Sequence, residues 1–314
     1  MRKIFVWVAG IFLILLGIIG LILPIMPGWV LIFLGLSFIA PKLAQKLRRR
    51  IFRKFFKSDI VHLEEWKKTR AQAGFTTRHF PLFLSKTDDL LEEANQKKFI
   101  ALLSESPVIK SRRLGPLKKF VLLKQVHGEQ LAVLEDSASY AREGFYHVPG
   151  SDGAVTNIPG LTLLVFSADC LPIFFLAGRW IGLVHAGWRG TQNQIAPKVL
   201  KLLSEKSGRK PKNIRVLFGP RIGVGHYEVG QEFRTIFPAS SLVEKNNKLY
   251  FDLAKENARQ LKDAGAAGRR ISDHEICTVS ENDDFYSFRK EGDKAGRNVS
   301  FISLSPLVRA EKGS

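Results

Sequence analysis

Three short segments hold the residues able to do chemistry: LKQVHG (Leu123 to Gly128), SADCLPIFF (Ser167 to Phe175) and GLVHAGWRGT (Gly182 to Thr191). In each, a ligand-capable side chain, His127, Cys170 or His185, comes where an apolar run stops and Gly, Pro or Ala begins. That is the pattern of strand ends facing a cleft. Two imidazoles and a thiolate make a three-ligand zinc site whose fourth position is open to water or substrate. Two other readings compete with it: isolated histidines and buried cysteines are more often structural, and Cys170 with His185 also suits a nucleophile and its base. The common cofactor signatures are missing. GPRIGVG (Gly219 to Gly225) has glycines at 219, 223 and 225, which fit neither G-x-G-x-x-G nor the Walker spacing, and there is no HExxH, GxSxG or EF-hand loop.

The elements needed to position these segments alternate between apolar strands and amphipathic helices. Strands are expected at Phe120 to Leu123, Leu161 to Phe166, Ile173 to Leu176, Trp180 to Val184 and Arg215 to Phe218, and helices at Lys86 to Leu103, Ala196 to Ser207 and Leu253 to Ala264. The result is a mixed α/β domain of residues 73–314. His62 to Ala73 reads as a polar helical connection, Ser104 to Leu117 as basic and irregular, and Cys277 in EICT as a structural strand residue. The two cysteines form no CxxC pair, so neither a disulfide framework nor a zinc ribbon is available, and the composition fits a reducing compartment. With 45% hydrophobic residues, the chain of 314 also has the apolar material for a core, which excludes wholesale disorder.

The net charge of +19 is concentrated at the front, where residues 1–70 hold 13 Lys/Arg against 3 Asp/Glu. Within that region Ile4 to Ala40 carries no charge at all, far beyond the roughly 18 residues that suggest a membrane span. Pro24, Pro27 and Gly28 break it into two parts, so residues 1–41 are expected to form a transmembrane helical hairpin. A cleavable signal peptide fits less well, because the run is too long and no small-x-small site follows. Residues 42–72 form a basic juxtamembrane linker, in which Lys42 to Lys57 interleaves cations with Ile51, Phe52, Phe55 and Phe56 as an interfacial helix on anionic lipid does. The alternative, a nucleic-acid patch, needs an assumption that the neighbouring hairpin makes unnecessary. The positive-inside rule puts both ends in the cytoplasm, which makes this a multi-pass protein of the cell membrane with a cytoplasmic catalytic domain.

The strings QVHG, SDGAVTN, GLTLLVFSADC, GLVHAGWRGT, GPRIG, YEVG and FYSFRKEGDKAGR, with GFTTR (Gly74 to Arg78) ahead of them, resemble in order the motifs of the multicopper polyphenol oxidase family, also called the laccase-domain or YfiH family. The apolar front with its PGW turn resembles small bacterial PGPGW membrane-hairpin proteins. What the first resemblance implies is an α/β sandwich with zinc ligands on His127, Cys170 and His185. The implied activity is phosphorolysis of purine nucleosides (adenosine, inosine, guanosine, methylthioadenosine), with adenosine deamination beside it; some members are linked instead to editing of peptidoglycan precursors. The chain departs from the pattern at Arg221, Gly225 and His226, where the family commonly has cysteines, and after Arg78, where HFPLFLSKTDDLLEEA replaces the usual elements. Both departures bear on substrate range.

Phosphorolysis requires a held phosphate, and an arginine fork matches its oxygens. Arg189, four residues after His185, is the first candidate, with a helix-capping or Asp169-paired surface arginine as the alternative; Arg78, Arg289 and Arg297 are further substrate-binding candidates. Asp169 reads as a proton acceptor or as the partner of a ligand imidazole. Copper ranks behind zinc, because laccase chemistry needs a histidine-rich copper cluster and seven scattered histidines do not supply one. The expected partners are purine nucleosides, phosphate and lipid, with no nucleic acid. A membrane-tethered nucleotide-binding module without catalysis is the reading from a different class.

Overall fold

The computed structural model describes Ile11, 59–63, Trp66, 69–105 and 117–305. Apart from Ile11, the expected hairpin, the basic run after it and most of Ser104 to Leu117 lie outside the described residues, among which no helix is long and apolar enough to cross a membrane. A compact unit begins at Asp59.

Two six-stranded sheets form its centre. Across the first run β1 (Ile60–His62), β2 (Ala71–Thr76), β15 (Asn298–Leu304), β7 (Leu161–Ser167), β3 (Lys119–Leu123) and β5 (Gly144–Val148). Across the second run β14 (Ile271–Asp273), β10 (Arg215–Phe218), β8 (Leu171–Ala177), β9 (Trp180–Ala186), β6 (Gly153–Thr156) and β4 (Leu131–Leu134). A small third sheet joins β11 (Glu228–Val229), β13 (Lys248–Phe251) and β12 (Leu242–Lys245). Val121, Leu163 and Ile302 from the first sheet meet Phe174, Ile181 and Leu183 from the second in one apolar layer.

The outer faces are covered as well. Helix α1 (Glu93–Glu105) brings Phe99 and Leu103 onto the first sheet, while α3 (Ile195–Ser207) and α4 (Leu253–Asp263) bring Val199, Leu203 and Leu261 onto the second; the short α2 (Trp188–Gln192) precedes α3. Because helices cover what the other sheet does not, every residue of β7, β8, β9 and β15 is buried. The mostly apolar runs of β7, β8 and β9, instead of an alternating pattern, follow from burial on both faces.

The helical connection expected at His62 to Ala73 is corrected by the structure. β1 and β2 pair antiparallel there, with Ile60 opposite Thr76, so residues placed in the linker belong to the first sheet. Ile60, Ala71, Ala73 and Phe75 provide the buried contacts of this pair. Gly74 permits the pairing, since a Cβ there would come within 2.6 Å of the Val61 carbonyl oxygen. Cys277 is likewise not on a strand: it makes an isolated bridge with Arg221 in a loop, and its sulfur accepts hydrogen bonds from the Gly223 and Ser280 amides. The expected helix from Lys86 is a 3-10 turn (Thr87–Leu91) followed by α1.

Candidate active site

The three ligand candidates come from three chain crossings at one end of the sandwich. His127 lies in the loop that leaves β3. This loop is pinned by Gln125, whose amide donates to the Phe166 carbonyl and accepts from the Phe166 amide, both at 2.8 Å, as a strand residue would. Cys170 ends the three-residue corner where the chain passes from β7 in the first sheet to β8 in the second. His185 is the penultimate residue of β9 and stands opposite Pro172. Their ligand atoms all lie within 4.8 Å of one another, and the two imidazoles meet edge to face with centroids 4.8 Å apart.

Asp152 organises this cluster. Fully buried, its carboxylate accepts from the amides of Val126 (3.1 Å), His127 (2.9 Å) and Gly128 (2.7 Å), and Oδ1 lies 2.9 Å from His185 Nδ1. The first three bonds hold the loop while His127 adopts a φ of +58°, in the left-handed region that a non-glycine residue seldom occupies. The fourth keeps a proton on His185 Nδ1 and turns Nε2 towards Cys170.

Electrostatics favour a cation in this place. Burial opposes the Cys170 thiolate, but His185 and His127 outweigh it and the thiol falls to about 6. Burial also opposes a charged His185, but Cys170 and Asp152 outweigh it and raise the imidazole to about 9. A bound metal ion can take the place of that shared proton. One thiolate and two imidazoles, one of them oriented by a carboxylate, fit zinc. Space is left beside them by Gly187, where a Cβ would lie 3.1 Å from Cys170 Sγ and 3.7 Å from His127 Cδ2.

The remaining candidates divide. Arg189 on α2 is exposed and lies over the Trp188 ring at 4.4 Å; its guanidinium makes no ion pair or hydrogen bond among the described residues. Arg297 is half-buried, with burial lowering its pKa while Cys170, Asp89 and Asp169 act in the other direction, and it donates to the carbonyls of Ala295 and Gly296. Arg289 lies 5.5 Å over Tyr227 and donates to the Glu228 carbonyl. Arg78 is committed elsewhere, paired with Glu291 at 2.7 Å, bonded to the Asn282 carbonyl and stacked on Tyr286. Asp169 holds no imidazole. Its own φ is +94°, and its carboxylate accepts from Thr278 Oγ1 and from the Arg289 amide, both at 2.6 Å, so the orienting role falls to Asp152.

Asp152, Gln125 and Tyr227 are not among the residues singled out from sequence, although each lies inside or next to a motif string. Burial, with the charges of Cys170 and Asp169, pushes the Tyr227 hydroxyl well above its usual range, so Tyr227 is a neutral hydrogen-bond donor beside the cluster. At the altered glycine-rich segment, Arg221 makes a bidentate ion pair with Asp273 at 2.6 and 2.7 Å.

The family model described as multi-copper polyphenol oxidoreductase laccase matches residues 106–305. The chain belongs to that family. A second model, for PGPGW transmembrane proteins, matches residues 3–54. The laccase-family domain is similar to purine nucleoside phosphorylase YlmD of Bacillus subtilis, with 30% identity over 77% of this chain and 93% of that one. It is also similar to purine nucleoside phosphorylase YfiH of Escherichia coli, with 31% identity over 59% of this chain and 74% of that one. Among solved structures it resembles Bacillus licheniformis YfiH, with a TM-score of 0.66, 26% identity and coverage of 79% and 97%. YlmD from Geobacillus stearothermophilus gives a TM-score of 0.63, 29% identity and coverage of 76% and 94%.

Proposed function

We propose that the chain is a zinc-dependent purine nucleoside phosphorylase acting on adenosine, inosine, guanosine and methylthioadenosine, anchored by residues 1–41 with its catalytic domain in the cytoplasm. The observation that carries this reading is the convergence of His127, Cys170 and His185, with Asp152 behind them. Relatives named purine nucleoside phosphorylase support the reaction class, and the PGPGW match supports the anchor. In phosphorolysis a phosphate oxygen bonds to the sugar carbon while the carbon–nitrogen bond breaks, its electrons pass to the purine and the base takes up a proton. Arg189 holds the phosphate, Arg289 and Arg297 add positive potential, and Tyr227 donates to base or sugar. Asp152 keeps the His185 proton at Nδ1. His127, Cys170 and His185 would hold zinc, which when bound would supply Lewis acidity there; the same site would serve adenosine deamination as a second activity.

The test incubates the full-length, detergent-solubilised, zinc-loaded protein with each nucleoside, with and without phosphate, and resolves the products by chromatography. Phosphate-dependent base release is expected, and inosine formed from adenosine would report deamination. Absence of base release from every nucleoside overturns the phosphorylase reading in favour of a binding module or of action on peptidoglycan precursors. Arg189→Ala should keep its zinc while phosphorolysis falls about 100- to 1,000-fold, as loss of a charge-assisted bidentate contact implies.

A further inference from the structure

The far end of the sandwich gathers arginines that the proposed reaction does not use. β8 and β9 have Cys170 and His185 at one end and the Gly178–Arg179 turn at the other, and seven-residue strands separate the two by about 20 Å. At the turn a cavity of about 370 Å³ is lined by Arg209, Arg215 and Arg270 with Thr69, Leu176 and Asn213. A second cavity, of about 240 Å³, shares Gly178 and includes Arg70 and Arg179.

The sheet register builds this cluster. β10 and β14 pair in parallel with Val216 opposite Ile271, which sets Arg215 and Arg270 side by side at the strand starts. Arg209 packs on the turn, its Nε 2.7 Å from where a Gly178 Cβ would lie. None of the five guanidiniums has a carboxylate partner among the described residues; Arg70 donates only to the Ser305 carbonyl. Glu135 and Glu143 pair with Lys206 and Lys118 instead. Arg270 Nε is shielded from solvent and has no hydrogen-bond partner among the described residues.

Like charges around a concavity repel, and a shielded guanidinium donor without an acceptor is costly. A multivalent anion relieves both. Among the described residues the two linings contain no carboxylate and no aromatic ring, so they select neither a cation nor a stacked base. Several forked donors around a space larger than one phosphoryl group suit a chain of them. We propose that this cavity binds the oligophosphate group of a soluble ligand, through Arg209, Arg215 and Arg270. This site is independent of the one at which phosphate would attack a nucleoside.

Calorimetric titration of the full-length protein in detergent with sodium tripolyphosphate tests the proposal. The double variant Arg215→Gln/Arg270→Gln should lose about 30-fold or more in affinity, in line with removal of two charge-assisted forks, and the exposed Arg209→Gln about 5-fold. Arg234→Gln, which alters a surface pair with Glu244, should bind like the wild type. Since the arginines repel one another, the ligand-free double variant should melt no lower than the wild type. Equal tripolyphosphate affinity in wild type, double variant and Arg209→Gln overturns the site, as does no binding to the wild type. Single-stranded RNA or phosphatidylserine vesicles form the other arms, and an arginine-dependent affinity for either one that exceeds that for tripolyphosphate would also overturn it.

Discussion

Among the described residues two carboxylates are shut away from water, Asp152 at 0% and Glu256 at 1% exposure, and their hydrogen bonds differ in kind. Three of the partners of Asp152 are main-chain amides of a strained loop, and the fourth is a ring nitrogen whose imidazole has another nitrogen to offer. Glu256 on α4 takes only side chains: Ser241 Oγ at 2.5 Å, Arg259 Nε and its terminal nitrogen at 3.0 and 2.6 Å, and Gln260 Nε2 at 2.8 Å. Its network closes on the helix and the turn beside it. The comparison teaches that burial and full hydrogen bonding do not by themselves mark a functional carboxylate. What distinguishes Asp152 is that its bonds leave a neighbouring ligand atom free and aimed at others.

The comparison can be broken at three points. Cys170→Ala should have the largest effect, abolishing zinc binding by elemental analysis, because two imidazoles without the thiolate make a poor site. Zinc content equal to wild type would detach Asp152 from any metal role and leave the two carboxylates alike. Asp152→Asn should come next: one amide face would meet backbone donors, the His185 tautomer would lose its anchor, and zinc affinity should fall about 10- to 100-fold. Its metal-free melting temperature should drop as well, since several hydrogen bonds to a charged group are lost at about 1.5–3 kcal/mol each.

Glu256→Gln should have the smallest effect, confined to stability at about 1–3 kcal/mol, with zinc content unchanged. Burial opposes the Glu256 charge, but Arg259, Ser241 and Gln260 outweigh it and hold its pKa below the ordinary 4.5. The sign of the pH dependence follows: the contribution is full above the unfolded value and is lost as pH falls through the folded one. Denaturant titrations at pH 7 and near pH 4 should therefore show the wild type losing more stability on acidification than Glu256→Gln. Loss of zinc in that variant would erase the distinction between the two sites.

Much of the sandwich could be read from the chain itself. Runs such as LTLLVFS and WIGLVHA are mostly apolar because both faces of those strands are covered, and such a run marks its own extent. The candidate His127, Cys170 and His185 cluster was legible for the same reason, since a histidine or cysteine that interrupts an apolar run identifies a strand end without reference to any partner. β1 and β2 were not legible: β1 has three residues, β2 mixes Gln72, Gly74 and Thr76 with small apolar residues, and they become strands because β1 pairs with β2 and β2 with β15.

The same limit applies within the site. Which carboxylate orients His185 was decided by approach in space, because Asp152 is 33 residues from His185 and 24 from Gly128, whereas Asp169, next to Cys170 in the chain, turns to Thr278 and Arg289. Residue type and local pattern thus determined what could ligate and where strands stop. Tertiary structure alone decided which charges meet, including the capture of Arg78 by Glu291 and the gathering of Arg209, Arg215 and Arg270. The reason is physical: apolar burial leaves a periodic trace along the chain, whereas a hydrogen bond or an ion pair depends on distances of about 3 Å between groups whose sequence separation carries no signal.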